Sequence, residues 1–344
     1  GGGGRGFGIF DFRFSIFEFR FSIFDFRFLN FDFRFSIFNF EFSILNFQIS
    51  HFACREEWRM ALLSVVLTVR PLEKVSLPSA LGRAAHAALL RAIAARDAAL
   101  AEALHAEGAT RPFTCSPLRG KRAQGAVLPE ASYTLRYTTL TAEVAAVMPD
   151  LFAAGQALEL DEARFVIERA TRDGKEHPWA AQTDYETLAA PWLLARTTPA
   201  KRIELSFASP TAFRSQGKAQ IFPQPEWVFG SLLDKWNAFA PMALPDETRR
   251  FAAECLAASR IHLSSHAAPF KSEGAVKFGA VGNVTYAALN QDRYWLSLIN
   301  LLADFAQFAG VGTSTALGMG QCRRLREQRG SEGERERGSD GVNG

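Results

Sequence analysis

The sequence predicts an α+β protein made of two tandem ferredoxin-like domains, each with the element order βαββαβ. Hydrophobic periodicity predicts the order strand, helix, strand, strand, helix, strand between residues 60 and 198. The same order returns between residues 199 and 326. A chain of 344 residues is long enough to bury a core in each of two such domains.

In the first domain, residues 62–70 are apolar on both faces and are stopped by Pro71, which predicts a central strand. Two helices are expected next: Ser79 caps the first, Asp97 caps the second, and Gly108 ends the second. The predicted elements are a strand at 62–70, helices at 79–95 and 98–106, an extended segment at 111–118, a strand at 132–140, a helix at 141–154 and a strand at 164–171.

The second domain follows a Pro-containing link at residues 190–200. Pro225 opens its first helix, as proline does at a first helical position. The predicted elements are a strand at 201–207, helices at 225–236 and 246–258, strands at 260–265 and 281–289, a helix at 294–308 and a strand at 321–325.

The two ends of the chain are set apart from these domains. Residues 1–59 contain phenylalanines in a seven-residue repeat, and position 1 is not Met. We expect this Phe-rich repeat extension to be mis-translated upstream sequence, with the start at Met60, and exclude it from fold reasoning. Residues 327–344 are charged and Gly-rich, which predicts a disordered tail.

Composition limits the classes of function. The net charge is only +3, so nucleic-acid binding would have to come from local basic patches. The four cysteines form no C-x-x-C pair, which indicates a reduced, cytoplasmic protein. No apolar run is long enough to span a membrane. His262 and His266 lie on a predicted strand, where their spacing does not suit a metal, so neither a metal nor another cofactor is predicted.

The segment 310–320 contains four glycines in eleven residues, interleaved with small residues. Its backbone is free to take positive φ and its N–H groups are not screened by side chains, which favours contact with phosphates. It is not a P-loop, because five residues separate Gly312 from Gly318 and Met319 stands where a Lys is required. It is not a dinucleotide loop, because Thr315 replaces the third glycine. The alternative is a flexible surface connection.

The glycine pattern G-x-G, five residues, G-x-G at the end of a duplicated ferredoxin-like order resembles one known family. The pattern is similar to the one in the CRISPR-associated endoribonucleases that process precursor CRISPR RNA, which are members of the RAMP superfamily. Further stretches similar to that family lie at residues 77–86, 207–213, 222–226 and 278–282. The resemblance covers about residues 60–325.

This resemblance implies a metal-independent endoribonuclease that binds CRISPR repeat RNA. It cuts by attack of the ribose 2′-OH and leaves a 2′,3′-cyclic phosphate and a 5′-OH. Other subunits of a CRISPR effector complex and a second copy of the chain are candidate partners. The alternative is a non-catalytic RNA-binding RAMP subunit of such a complex.

The resemblance also suggests catalytic residues. In one branch of the family a His lies six positions before a basic residue, which is followed by Phe-Thr, and His105, Arg111, Phe113 and Thr114 match this pattern. Leu90 stands where a Tyr is expected, so any Tyr function is absent or supplied from elsewhere. His105 ends a predicted helix, where the carbonyl end stabilises an imidazolium by about 0.3–1 kcal/mol. His86, on the preceding helix, is the rival candidate, and either histidine has a purely structural role as its alternative.

The expected RNA contacts are the glycine loop and nearby basic residues. We expect the loop to bind RNA but not to be the cutting site itself, because the candidate histidines lie about 200 residues earlier in the chain. The full set is Gly310, Gly312, Gly318, Gly320, Arg323, Arg324, Arg119, Lys121, Arg122, Arg214 and Lys218.

Overall fold

The computed structural model describes residues 60–78, 80–105, 110–194, 198–269 and 276–325. Within them the helices are α1 Gly82–Ala94, α2 Ala98–His105, α3 Ala142–Leu151, α4 Tyr185–Leu193, α5 Pro225–Phe239, α6 Glu247–Cys255 and α7 Arg293–Ala309. The strands are β1 Leu62–Pro71, β2 Val75–Ser76, β3 Phe113–Cys115, β4 Ala126–Val127, β5 Tyr133–Thr139, β6 Ala157–Leu160, β7 Ala163–Thr171, β8 Ala181–Thr183, β9 Arg202–Thr211, β10 Phe213–Ser215, β11 Lys218–Gln220, β12 Leu256–Pro269, β13 Val276–Ala288 and β14 Cys322–Leu325. The Phe-rich extension, the tail, Ser79 and Gly108 lie outside the described residues.

The first sheet has the strand order β3-β5-β1-β7-β6, and β8 also pairs with β1. The pairings are antiparallel, with Val65 opposite Tyr137 and Leu67 opposite Leu135. Alternate residues of β1 therefore share one face, where they pack in a buried core with α1 and α3. The other face of the same strands carries polar residues.

The second sheet has the order β12-β13-β9-β14 and is also antiparallel. The two sheets share one strand order: β9, β12, β13 and β14 lie where β1, β3, β5 and β7 lie in the first sheet. Helices α5 and α7 cover one face of this sheet and form its core. The predicted tandem ferredoxin-like fold is therefore confirmed.

Two predicted segments differ from the structure. Residues 190–200 were predicted to be a link, but α4 runs to Leu193 and packs in the core of the second half. The helix predicted over 246–258 ends at Cys255, because Leu256 and Ala257 pair with Ala288 and Ala287 of β13. Strand pairing thus overrides a local sequence that suits a helix.

Buried polar contacts join the two halves. Arg136 on β5 is 4% exposed, and its guanidinium donates to Gln321 Oε1 over 2.6 and 3.0 Å. It also donates to the carbonyl of Gln307 over 2.9 Å and to Ser64 Oγ over 3.2 Å. Thr138 donates to the carbonyl of Phe308 over 2.6 Å. The end of α7 is thereby fixed against the polar face of the first sheet.

No helix in the described ranges combines the length and the apolar character needed to cross a bilayer.

Candidate functional site

His86 is half-buried on α1 and faces the glycine-rich loop of the other half. Its Nδ1 lies 3.2 Å from the carbonyl oxygen of Ala316, and its ring packs against Phe113 with 5.4 Å between centroids. Burial lowers the pKa of His86 below its ordinary value, although the bond to Ala316 raises it. A carbonyl at Nδ1 requires an N–H there, so Nε2 is the acceptor of the neutral ring.

His105 and Arg111 lie at the end of the next helix. Asp97 caps α2, as predicted, by accepting from the N–H of Leu100 over 2.9 Å. His105 is exposed at the other end of α2. The Arg111 guanidinium donates to the carbonyl of Leu104 and, over 3.3 Å, to that of His105. It therefore satisfies carbonyls that the end of a helix leaves open.

The three predicted catalytic residues lie in one region. Arg111 donates to the carbonyl of His105, and Phe113, two residues after Arg111, packs on the ring of His86. After burial, the charge of Arg111 also lowers the pKa of His86. The site therefore offers one half-buried imidazole, one exposed imidazole and a fixed guanidinium. Such a set can move two protons and stabilise negative charge.

The glycine-rich loop leads from α7 into β14, as predicted, and contains a short 3-10 turn at Thr315–Leu317. This turn lies directly on α1. A Cβ added to Gly82 would lie 2.0 Å from the carbonyl oxygen of Leu317, and one added to Gly318 would lie 2.8 Å from Gly82 Cα. The fold thus brings the loop into contact with His86, although the two contacting residues are 230 positions apart in the chain. That the loop is not itself the cutting site stays a prediction.

Most glycine N–H groups of the loop are already donated within the protein. That of Gly310 binds the carbonyl of Ala306 over 3.0 Å, and that of Gly320 binds the carbonyl of Pro210 over 3.0 Å. Gly312 donates to Ser231 Oγ over 2.9 Å. Internal acceptors take these three N–H groups in this conformation, and the role of the loop in RNA binding stays a prediction. Gly318, packed on Gly82, is buried.

Two of the predicted RNA-binding arginines are engaged elsewhere. Arg324 forms a buried ion pair with Asp304 at 3.3 Å and donates to Asn300 over 2.7 Å. Arg122 donates to the carbonyls of Leu77 and Pro78, each over 2.8 Å. Both guanidiniums make these contacts within the protein, as Arg119 and Arg323 do with the carbonyls of Ala208 and Pro178, so the assignment of these arginines to RNA stays a prediction.

The other predicted basic residues are better placed. Lys121, Arg214 and Lys218 are exposed, the last two on the hairpin of β10 and β11. Arg119 and Arg323 are half-buried beside a pocket at the junction of the two halves. The pocket is lined by Val66, Ser116, Arg119, Thr134, Arg136, His177, Trp179 and Gln321.

The guanidiniums of Arg119 and Arg136 line this pocket, which we call the arginine pocket, and that of Arg323 lies over the ring of Trp179. Arg136 and Arg323 lie 4.6 and 5.0 Å from the centre of the Trp179 ring. Burial, and then the charges of Arg119 and Arg323, lower the pKa of Arg136. None of the three arginines has a carboxylate partner within the described part of the chain. Since buried charges are normally paired, the pocket suits an anion.

The sequence reasoning missed Arg136, His177, Trp179 and Lys235. Arg136 could have been found, because it lies between Thr134 and Thr138 on the polar side of a strand whose other side is apolar. Lys235 could have been found as a charge within an apolar helix face, next to Trp236. Trp179 follows a turn at the end of β7, and local sequence gives no sign of its position.

No group of three metal-ligating side chains is assembled among the residues that the structure describes. His262 and His266 lie on β12 and are exposed.

Two ferredoxin-like folds, with a glycine-rich loop before the last strand, form a fold that is shared with a solved RAMP protein of 12% identity and TM-score 0.52. Residues 61–147 match the model of the CRISPR Cas6 N-terminal domain. Residues 205–322 match the model of the CRISPR-associated endoribonuclease Cas6. The two matches together cover more than half of the chain, which therefore belongs to the Cas6 family.

Individual relatives agree with this family. A CRISPR-associated endoribonuclease Cas6 of Mycobacterium tuberculosis is 32% identical over 125 residues, which are 36% of this chain and 38% of that protein. The match thus spans well under half the length of this curated relative.

Solved Cas6 structures match over a larger share. A product complex of Thermus thermophilus Cas6 has 25% identity and a TM-score of 0.65, covering 77% of this chain and 100% of that one. A substrate mimic complex of a second Cas6 protein has 25% identity and a TM-score of 0.59, over 77% and 100% of the two chains.

We predict that Gly318→Ala destabilises the protein more than Gly155→Ala. Both glycines have positive φ, at +93° and +85°, so each alanine costs about 1–2 kcal/mol of backbone strain. At Gly155 nothing lies within 4 Å of an added Cβ, whereas at Gly318 it meets Gly82. This contact should add about 1–3 kcal/mol. Denaturant unfolding of both variants measures the difference, and equal losses would contradict the tight contact with α1.

Proposed function

We propose that this protein binds CRISPR repeat RNA and cleaves precursor CRISPR RNA as a metal-independent endoribonuclease. The observation that carries this proposal is the convergence of His86, His105 and Arg111 beside the glycine-rich loop. Membership of the Cas6 family supports it, and related Cas6 proteins have been solved as product and substrate mimic complexes. One neighbour is a Cas6 variant in which a histidine is replaced by alanine.

The proposed reaction is an internal transfer of a phosphoryl group. A base removes the proton of the ribose 2′-OH, and this oxygen attacks the adjacent phosphorus. The bond from phosphorus to the 5′-oxygen breaks, and an acid supplies a proton to that oxygen. The products are a 2′,3′-cyclic phosphate and a 5′-OH, with no water consumed.

The two histidines suit the two proton transfers. His86 has a lowered pKa, so it is neutral at pH 7, and its Nε2 is the proton acceptor while Nδ1–H is held by Ala316. His105 is exposed on the end of α2 and acts as the proton donor. Arg111 holds this end of α2 and adds positive charge near the reacting phosphate.

The arginine pocket supplies a second contact with RNA. Phe113 of β3 packs on His86, whereas its neighbour Thr114 bonds to Thr138 over 2.7 Å on the opposite face of the sheet. The arginine pocket, with Arg136 and Gln321, lies on that opposite face. RNA would therefore pass around the edge at β3, with phosphates at the arginines and the cut at the histidines.

The decisive experiment incubates the chain with repeat RNA in EDTA. We expect one discrete cut, with a 2′,3′-cyclic phosphate on the upstream fragment and a 5′-OH on the other, because protein side chains supply the acid and base. End-group analysis of the fragments measures this outcome. Binding without cleavage would support the non-catalytic subunit instead, and loss of cleavage in EDTA would contradict metal independence.

Alanine variants test the histidines. We expect His105→Ala and His86→Ala each to lower the single-turnover cleavage rate by about 10²–10⁴-fold, with little change in RNA affinity. His262→Ala, exposed on β12, is the matched control and should cleave normally. In the wild type the rate should fall as pH drops through the pKa of His86, because protonation removes the base. Full activity in His105→Ala would move the catalytic role to His86 alone.

A binding experiment tests the arginine pocket. We expect Arg323→Met to weaken binding of repeat RNA and to reduce the dependence of log Kd on log salt by about one unit, because one phosphate contact is lost. Arg250→Met, on the exposed side of α6, removes the same charge elsewhere and should bind like the wild type. Filter binding at several salt concentrations measures both, and equal effects would exclude a local contact at Arg323.

A further inference from the structure

Lys235 is a charged residue inside the core of the second half. It is 8% exposed and lies on α5 among Leu232, Leu233 and Trp236, which are buried. A lysine is almost never buried in this way unless its ammonium has partners. The identity of these partners indicates what Lys235 does.

The Lys235 ammonium has three acceptors, all at the end of α7 or in the glycine-rich loop. Nζ donates to the carbonyls of Ala309 and Gly310, each over 3.0 Å, and to Thr315 Oγ1 over 3.4 Å. Three acceptors match the three N–H bonds of an ammonium. A positive charge at the carbonyl end of a helix is also favoured by the helix dipole.

The Lys235 amine is buried at an electrostatic cost. Burial lowers the pKa of Lys235 to about 7, against the opposing effects of Cys322 and Asp234. A methionine of similar length would fill the same space without this cost. The hydrogen bonds to the loop are therefore the feature that a lysine provides here and an apolar residue does not.

A second side chain of the same helix holds the same loop. Ser231, one turn before Lys235, accepts from the N–H of Gly312 over 2.9 Å. Helix α5 thus fixes the loop at Gly310, Gly312 and Thr315. The next residue is Ala316, whose carbonyl lies 3.2 Å from His86 Nδ1.

We propose that Lys235 is a positioning residue: it holds the glycine-rich loop so that the Ala316 carbonyl fixes the proton of His86 on Nδ1. The imidazole of His86 then presents Nε2 as the acceptor. The consequence for cleavage rests on the proposed function, whereas the consequence for the state of His86 does not.

The first test is the state of His86 in the RNA-free protein. We expect nitrogen NMR of the wild type to show a neutral His86 protonated on Nδ1, with its signals assigned by their loss in His86→Ala. In Lys235→Met the two ring nitrogens should become more alike, because both tautomers are populated. The pKa of His86 should fall, since the Ala316 bond that raises it is lost while Arg83, His105 and Arg111 remain.

Lys201→Met is the matched control, because Lys201 is an exposed lysine that bonds to Gln291. Its His86 signals should be those of the wild type. A folded Lys235→Met with the tautomer and titration of the wild type would overturn the proposal. If Lys235→Met does not fold, Lys235→Gln replaces it, since its shorter amide cannot reach all three acceptors; unchanged His86 signals there would equally overturn it.

The second test separates cleavage from binding. At saturating repeat RNA, Lys235→Met should cleave about 10–100-fold more slowly, because a displaced base acts poorly. Its affinity for RNA with a 2′-deoxy group at the cut should stay within about threefold of the wild type, because Lys235 is buried away from RNA. Normal cleavage by Lys235→Met would overturn the proposal. If the wild type itself does not cleave, the proposed function fails while the NMR result still decides the role of Lys235.

Discussion

The buried guanidinium of Arg136 is the interaction on which the arrangement of the two halves depends. It comes from the first sheet and donates to the end of α7 and to Gln321, both in the second half. A single hydrogen bond between two domains allows them to rotate about it. A planar guanidinium that donates to several acceptors fixes the orientation of the domains as well as their distance. With these contacts in place, the glycine-rich loop lies against α1. The surroundings of His86 therefore follow from an interaction on the opposite face of the sheet.

Much of the fold could be predicted because it depends on local patterns. The alternation of Tyr133, Leu135 and Tyr137 marked β5, and the cap at Asp97 marked α2. The errors came where distant pairing decides. Leu256 begins a strand although the preceding sequence is helical, because β13 offers partners over its whole length. The extent of such a ladder is a property of two strands together, which neither segment shows alone.

The sequence predicted which residues form the candidate site better than it predicted their contacts. The sequence placed His86 and His105 on consecutive helices, and these two helices do share one core. It could not show that the loop meets His86, since that contact joins positions 230 residues apart. The partners of the basic residues were the least predictable, because a guanidinium can donate to RNA phosphates and to protein carbonyl oxygens equally well. Arg122 and Arg324 bond to oxygen atoms of the protein, as Arg119 and Arg323 also do, and nothing in the neighbouring residues predicts these partners.

The contact between Gly82 and Gly318 has a consequence for how the sequence can change. Main chain lies against main chain there, with no side chain on either side to be exchanged. In most cores a larger side chain at one position can be accommodated by a smaller side chain opposite. A glycine has no side chain that could be made smaller. These two positions, one in each half, must therefore stay small independently of each other. The close approach of the halves thus restricts mutation more strongly than an ordinary hydrophobic interface of the same size.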